Sequence, residues 1–327
     1  MSPISRRGFL HLSLASTALL ASHRGVALAD DTRTTDLVRL GFGRGGLPLI
    51  AKQRGDFERR LAENGIRAEW VGPFPNHAPS MQAVIADAAD LSFGGSTTPA
   101  LAAVLTGAPL VFTQFMVSHP RTTAIIVKRD SGIDSVRDLV GKTVAVNRAG
   151  LGEFLLVAAL EKYGVDRSEV NAIYINPPEA GPAFAQGKID AWSMWSPQVD
   201  IARNDYDGKN VFFEEDDLDF QIDFTSWLAR DEWAKSNPGL VRAVNQAFAE
   251  EAHWVSEHPE EAELIAQRAA GYDDRTRDTL TKFKRRYTLH DVHDTAFLDE
   301  FQQAADWLSE REILRSKVNV RDYLNES

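Results

Sequence analysis

Lys142 to Val165 reads "KTVAVNRAGLGEFLLVAALEKYGV", and the way this stretch divides decides the fold. "KTVAVN" is a short β-branched run, which favours a strand. From Leu151 to Tyr163 apolar residues recur at helical spacing, and Gly164 follows as a stop signal. A strand that feeds a helix through a glycine loop is the building unit of α/β proteins. The helix start carries unpaired N–H groups and about half a positive charge, so the loop Asn147 to Gly152 is a natural seat for an anion. An ordinary strand-to-helix turn also uses glycine for its geometry, so this loop alone does not decide a function.

The same alternation extends in both directions. Strands are expected at 37–43, 66–72, 90–95, 109–115, 122–128, 142–147 and 170–176. Helices are expected between them at 46–63, 78–87, 97–106 and 151–163. From Pro238 onward the pattern is almost wholly helical. An internal echo links "IADAADLSFGGSTTPALA" with "FAQGKIDAWSMWSPQVDIA": each runs helix end, Asp, apolar strand, then Ser and Pro opening a helix. Two related α/β units of this kind aim strand ends and helix starts at one crevice, where open α/β sheets bind ligands.

The N-terminus reads as an export signal. Arg6 and Arg7 precede the apolar run "HLSLASTALLAS", and "ALA" at 27–29 supplies a cleavage site, with Arg24 between. Paired arginines and a modest apolar core point to the twin-arginine route and a mature chain beginning at Asp30. The run is about half the roughly 20 residues that a membrane span needs. Removing residues 1–29 leaves 33 basic and 47 acidic residues, a net charge near −14. Nucleic acid and anionic membranes are therefore poor partners. The chain has no cysteine, which excludes disulfides, thiolate metal sites, cysteine nucleophiles and a lipid-anchoring cysteine.

Several motifs suggest chemistry and fail on inspection. "GKT" at 141–143 lacks the glycine of a phosphate loop, because position 136 is Val136. Gly150 and Gly152 lack the third glycine of a dinucleotide fingerprint, since Leu155 stands there. "GGSTT" at 94–98 ends on Thr98 where a nucleophile elbow needs glycine. His290 and His293 have no third metal ligand, and "FFEEDDLDF" at 212–220 lacks the spacing of a calcium loop. Donors at loop ends without a catalytic constellation favour a binding module, with no cofactor and no metal.

Five stretches together carry a resemblance: "VRLGFGRGGLPLIAKQRGDFERRL", "FGGSTTPALAA", "VAVNRAGLGEFLLVAALEKYGV", "IDAWSMWSPQVDIA" and "FTSWLARDEWAKSNPGLV". Their order and spacing resemble the aliphatic-sulfonate-binding proteins of bacterial ABC importers, within the nitrate/sulfonate/taurine group of periplasmic solute-binding proteins. The resemblance implies a two-lobed α/β fold of type II, with a mainly parallel sheet in each lobe and a helical C-terminal region. It implies one lobe from 36–121 plus 229–327 and another from 122–228. It further implies a monomer that closes over a small organic anion and docks on a permease and ATPase in the inner membrane.

Carried over by position, the resemblance implies anion donors at Arg44 and Gly45, at Ser96, Thr97 and Thr98, and at Gly150, Leu151, Gly152 and Glu153. The carbon tail is expected against Phe154, Trp192, Trp195 or Phe224. Relatives often place Asp where this chain has Ser96 and Ser196, which suggests a neutral tail pocket and an alkane- or arylsulfonate bound in preference to taurine. Nearby Glu153 is a candidate to compensate, and so is Asp200 or Asp223 if either reaches inward, so the preference stays open on this point. Taurine, nitrate or a sulfate ester, and a signalling receptor rather than a transporter, remain alternatives. Enzymes on this fold, an aryl-sulfinate desulfinase among them, use cysteine, so no enzymatic activity is expected.

Overall fold

A computed structural model describes residues 32–326; the expected export signal lies outside them. Its strands are β1 (Leu37–Gly43), β2 (Arg67–Phe74), β3 (Gly95–Ser96), β4 (Leu110–His119), β5 (Ala124–Lys128), β6 (Thr143–Val146), β7 (Asn171–Tyr174), β8 (Ala191–Met194), β9 (Gly208–Phe213), β10 (Thr225–Arg230) and β11 (Arg286–His290). Its helices are α1 (Gly46–Arg54), α2 (Asp56–Glu63), α3 (His77–Ile85), α4 (Thr97–Leu105), α5 (Leu151–Tyr163), α6 (Pro177–Ala185), α7 (Gln198–Asp205), α8 (Glu214–Asp217), α9 (Asp231–Ser236), α10 (Pro238–Glu257), α11 (Pro259–Ala270), α12 (Asp274–Lys282) and α13 (Thr295–Glu310).

The strands form two bodies. In the first, β1 pairs with β2 and reaches β10 through a bridge at Leu91, and β10 continues to β4 and β11. In the second, the order is β7-β6-β8-β5-β9. The expectation of mainly parallel sheets is corrected here. Parallel pairing holds β1 to β2 and β6 to β7 and β8, but β5, β10 and β11 all run antiparallel to their neighbours. The reason is the route of the chain. Strands of βα units end at the crevice between the bodies, whereas β5 and β10 arrive across that crevice and so enter from the opposite end.

The chain crosses twice, between β4 and β5 and between β9 and β10. The expected return at 228/229 falls inside β10, whose ladder with β4 spans Thr225 to Arg230, so the crossing lies upstream of Thr225. Arg121 ties the crossings together: its backbone N–H donates to Glu215 at 2.9 Å, and its guanidinium donates to the carbonyls of Phe220 and Leu218, each at 2.6 Å. Leu218, Ile222 and Phe224 of the second crossing join an apolar core that continues into both bodies.

Two local departures from the expected elements have clear causes. The single helix expected over 46–63 is broken at Gly55, which adopts φ 73° and caps α1 before α2 begins; glycine takes that conformation without steric cost. The C-terminal region is helical except for β11, which adds to the free edge of β4. Away from the crossings, two sets of hydrogen bonds among the described residues also join the bodies. Asn204 of α7 donates to Thr276 of α12 at 3.2 Å while Arg275 donates to the Asn204 carbonyl at 2.9 Å. Arg311, just past α13, grips Glu161 of α5 through bonds of 2.5 and 2.6 Å.

Candidate functional site

The register of the second sheet fixes what faces the crevice. β6 and β8 run parallel, with Ala145 beside Trp192, so the Asn147 loop and Trp195–Ser196 leave the sheet at the same end. In the first body, Arg44 follows the end of β1 and Ser96 ends β3, and the strand directions put both on the side where the chain crosses. The candidate donors there are not equally free.

The start of α1 is open. Gly45 is its extended N-cap, no side chain caps the helix, and its first turn holds no acidic residue. A side chain added at Gly45 would meet nothing within 4 Å. Arg44 beside it is exposed and has no ion pair or hydrogen bond among the described residues. A free guanidinium next to an uncapped helix start is chemically an anion seat.

The start of α5 is more closed than expected. The Gly152 N–H donates to Asn147 Oδ1 at 2.9 Å, and the Ala149 N–H donates to Glu153 Oε2 at 2.6 Å. Glu153 also accepts from Arg167 at 2.6 Å and from the Tyr174 hydroxyl at 2.7 Å. Gly152 N–H and the Glu153 side chain are thus satisfied within the protein, and the Leu151 N–H has no partner among the described residues. The glycines themselves answer to packing. A Cβ on Gly152 would stand 2.4 Å from the Ser193 carbonyl of β8, and one on Gly150 would stand 1.8 Å from Asn147 Nδ2.

The third donor set is spent entirely. Asp223 Oδ1 accepts from Ser96 Oγ at 2.7 Å, Thr97 Oγ1 at 3.0 Å, and the Thr98 N–H and Oγ1, both at 2.9 Å. An internal carboxylate stands where these residues were expected to hold the ligand's anion. Burial pushes the Asp223 carboxyl up from its ordinary range, and the donors from Ser96, Thr98 and Thr97 work against that shift.

The aromatic candidates separate by burial. Phe154 and Phe224 are fully packed in the core, Phe224 edge-on to Phe297 with centroids 5.1 Å apart, so the tail-binding role expected for them is corrected. Trp192 is likewise core, at 2 % exposure. Trp195, just past the end of β8, is half-buried and packs only in part on the core of the second body.

Sequence reasoning missed His77, and it weighed Asp223 only as a compensating charge. His77 is buried beneath Ser96, with Nδ1 2.8 Å from the Ser96 carbonyl and Nε2 3.0 Å from Ser92 Oγ. Burial lowers it to about 4, so it is a neutral strut at ordinary pH. Its signal was invisible because the contact spans 19 residues. The neutrality expected around the two serines also fails: Ser96 donates to Asp223, and Ser196 donates to Asp200 at 2.5 Å.

With this geometry in view, the chain can be set against known proteins. It is 26% identical over 323 residues to a Bacillus subtilis (strain 168) protein named for aliphatic sulfonate binding, covering 98% of this chain and 95% of the relative. An Escherichia coli (strain K12) protein of the same name is 27% identical over 317 residues, covering 96% and 95%. Among solved structures, the alkanesulfonate-binding protein SsuA from Xanthomonas axonopodis pv. citri, bound to MOPS, superposes with a TM-score of 0.79 at 22% identity, covering 89% of this chain and 98% of that one. That match covers both bodies and establishes the two-lobed periplasmic-binding-protein fold. The family profile described as NMT1/THI5 like matches residues 48–262, and the chain belongs to that family.

Proposed function

We propose that this chain is the periplasmic solute-binding component of an ABC importer and that it captures an organosulfonate between two closing lobes. The observation that carries the reading is the pairing of unengaged Arg44 with the uncapped start of α1, open to the crevice. A sulfonate is a permanent anion with acceptor oxygens only, so it needs N–H donors and no proton acceptor. Arg44, the N–H groups near Gly45 and the Leu151 N–H supply such donors, and the exposed part of Trp195 offers an apolar face to the tail. The proposed lobes are 36–121 with the C-terminal region and 122 to the second crossing, exported as a monomer by the twin-arginine route. A permease and an ATPase in the inner membrane are the proposed partners, and no enzymatic step is assigned.

The test is a calorimetric screen of sulfonates, nitrate, bicarbonate and simple carboxylates against the mature protein. Sulfonates are expected to lead. Arg44→Ala should weaken the leading sulfonate by about 1.5–3 kcal/mol, a charge-assisted contact's worth, or roughly 10- to 150-fold. An unchanged affinity removes Arg44 and the α1 start from the site. A lead for nitrate or a carboxylate removes the sulfonate.

A further inference from the structure

Among the described residues the large apolar side chains that stand exposed are Val140, Tyr174 and Phe220. Tyr174 has polar company: its hydroxyl donates to Glu153, and the Arg148 guanidinium lies 3.7 Å from its ring centre. Phe220 is different. It lies on the second crossing, is 45 % exposed, and faces Trp307 of α13 with ring centres 6.0 Å apart. The two rings line a groove of about 800 Å³ whose walls are α5 and α13, with the crossing between them. Ala158, Leu218 and Ala304 line it from the buried side. This groove is separate from the crevice. α5 starts at Leu151 beside the crevice loop, and its rise to Glu161, on the groove, is about 15 Å.

The charges around the groove are unevenly engaged. Arg311 is bound to Glu161, donates to the Trp307 carbonyl at 3.2 Å, and holds its guanidinium 4.2 Å from the Trp307 ring centre. Lys162 donates to the Asp217 carbonyl. Both basic groups that line the groove therefore have partners. On the acidic side, Glu161 is matched by Arg311, and the Asp217 carboxylate accepts the Phe213 N–H at 2.7 Å. Asp219 and Glu300 have neither an ion pair nor a hydrogen bond among the described residues. What remains for an occupant is two carboxylates and an aromatic pair. The Trp307 ring already carries one guanidinium, and a cation over a ring is attracted by its negative face.

We propose that this groove is a second ligand site, for a small organic cation with a flat apolar body. The body lies against Phe220 and Trp307 above the two alanines, and its charge is met by Asp219 and Glu300. The volume lies within the range of about 300–1,000 Å³ usual for small-molecule sites. An anion suits the groove poorly, because Arg311 and Lys162 are already engaged. A metal ion suits it poorly too, since no group of three metal-ligating side chains occurs among the described residues. The site is independent of what the crevice holds. Its walls belong to both bodies, so an occupant touches both at once.

The experiment is an amide NMR titration of the mature protein with three flat probes of one shape. Benzamidine is a cation, benzamide is its neutral counterpart, and benzoate is an anion. Benzamidine is expected to shift the Trp307 indole N–H and the backbone amides of Phe220 and Ala304. Benzamide should bind at least about tenfold more weakly, and benzoate should not bind there. Neutralising both carboxylates, Asp219→Asn with Glu300→Gln, should weaken benzamidine about fivefold and leave benzamide unchanged. Both side chains are exposed, so the fold is spared. Phe220→Ala should weaken benzamidine and benzamide alike. Benzamidine shifts that miss the groove overturn the proposal. So does benzamide or benzoate binding as tightly as benzamidine, or a benzamidine affinity that the double variant leaves unchanged. None of these outcomes bears on the sulfonate reading of the crevice.

Discussion

Phe154→Ala is expected to destabilise the protein by about 3–5 kcal/mol, the usual effect of truncating a fully buried aromatic ring. Phe154 lies in the first turn of α5 and is completely excluded from solvent. The loss combines the transfer energy of the ring with the cavity left behind. Trp195→Ala should behave in the opposite way, with a small change in stability and a measurable loss of affinity, because that indole is only half-buried and belongs to the proposed site. Denaturant melts and titrations on the two variants separate the roles. A Phe154→Ala protein of unchanged stability would contradict the core assignment.

The second large effect concerns Glu214 and depends on pH. Burial pushes this carboxyl up from 4.5 to about 7, against the Thr123 hydrogen bond and the Arg121 charge. A carboxyl whose folded value is raised supports the fold fully below about pH 4.5, and that support fades until it is gone above about pH 7. Glutamine does not titrate and keeps a similar shape. Relative to wild type, Glu214→Gln is therefore expected to gain little at pH 4.5 and about 3 kcal/mol at pH 8. Urea denaturation of both proteins at the two pH values reads the difference directly. A gain that is the same at both would mean that Glu214 ionises in the folded protein as it does in the unfolded chain.

Much of the fold was legible in the sequence because its signals are local. α5 begins and ends where the 142–165 stretch implied, since apolar spacing and Gly164 act within one turn. The break at Gly55 was legible in principle but was overridden by continuous apolar spacing on both sides. β11 was hidden because its support is the edge of β4, about 170 residues earlier, and nothing in "RYTLH" announces a partner. The site followed the same division. Loop ends such as Arg44 and Gly150 follow from strand-and-helix order. Whether a donor is free depends on side chains distant in sequence: Asp223 engages Ser96 across 127 residues, and no local pattern carries that information.

The contact between α7 and α12 bears on how the bodies part. Asn204, Thr276 and Arg275 join the bodies by two hydrogen bonds that involve no cargo. Any motion that parts the bodies at this place must break those bonds, whatever the crevice holds. For a carrier of the proposed kind, a receiver that spreads the bodies would supply the work of separating α7 from α12.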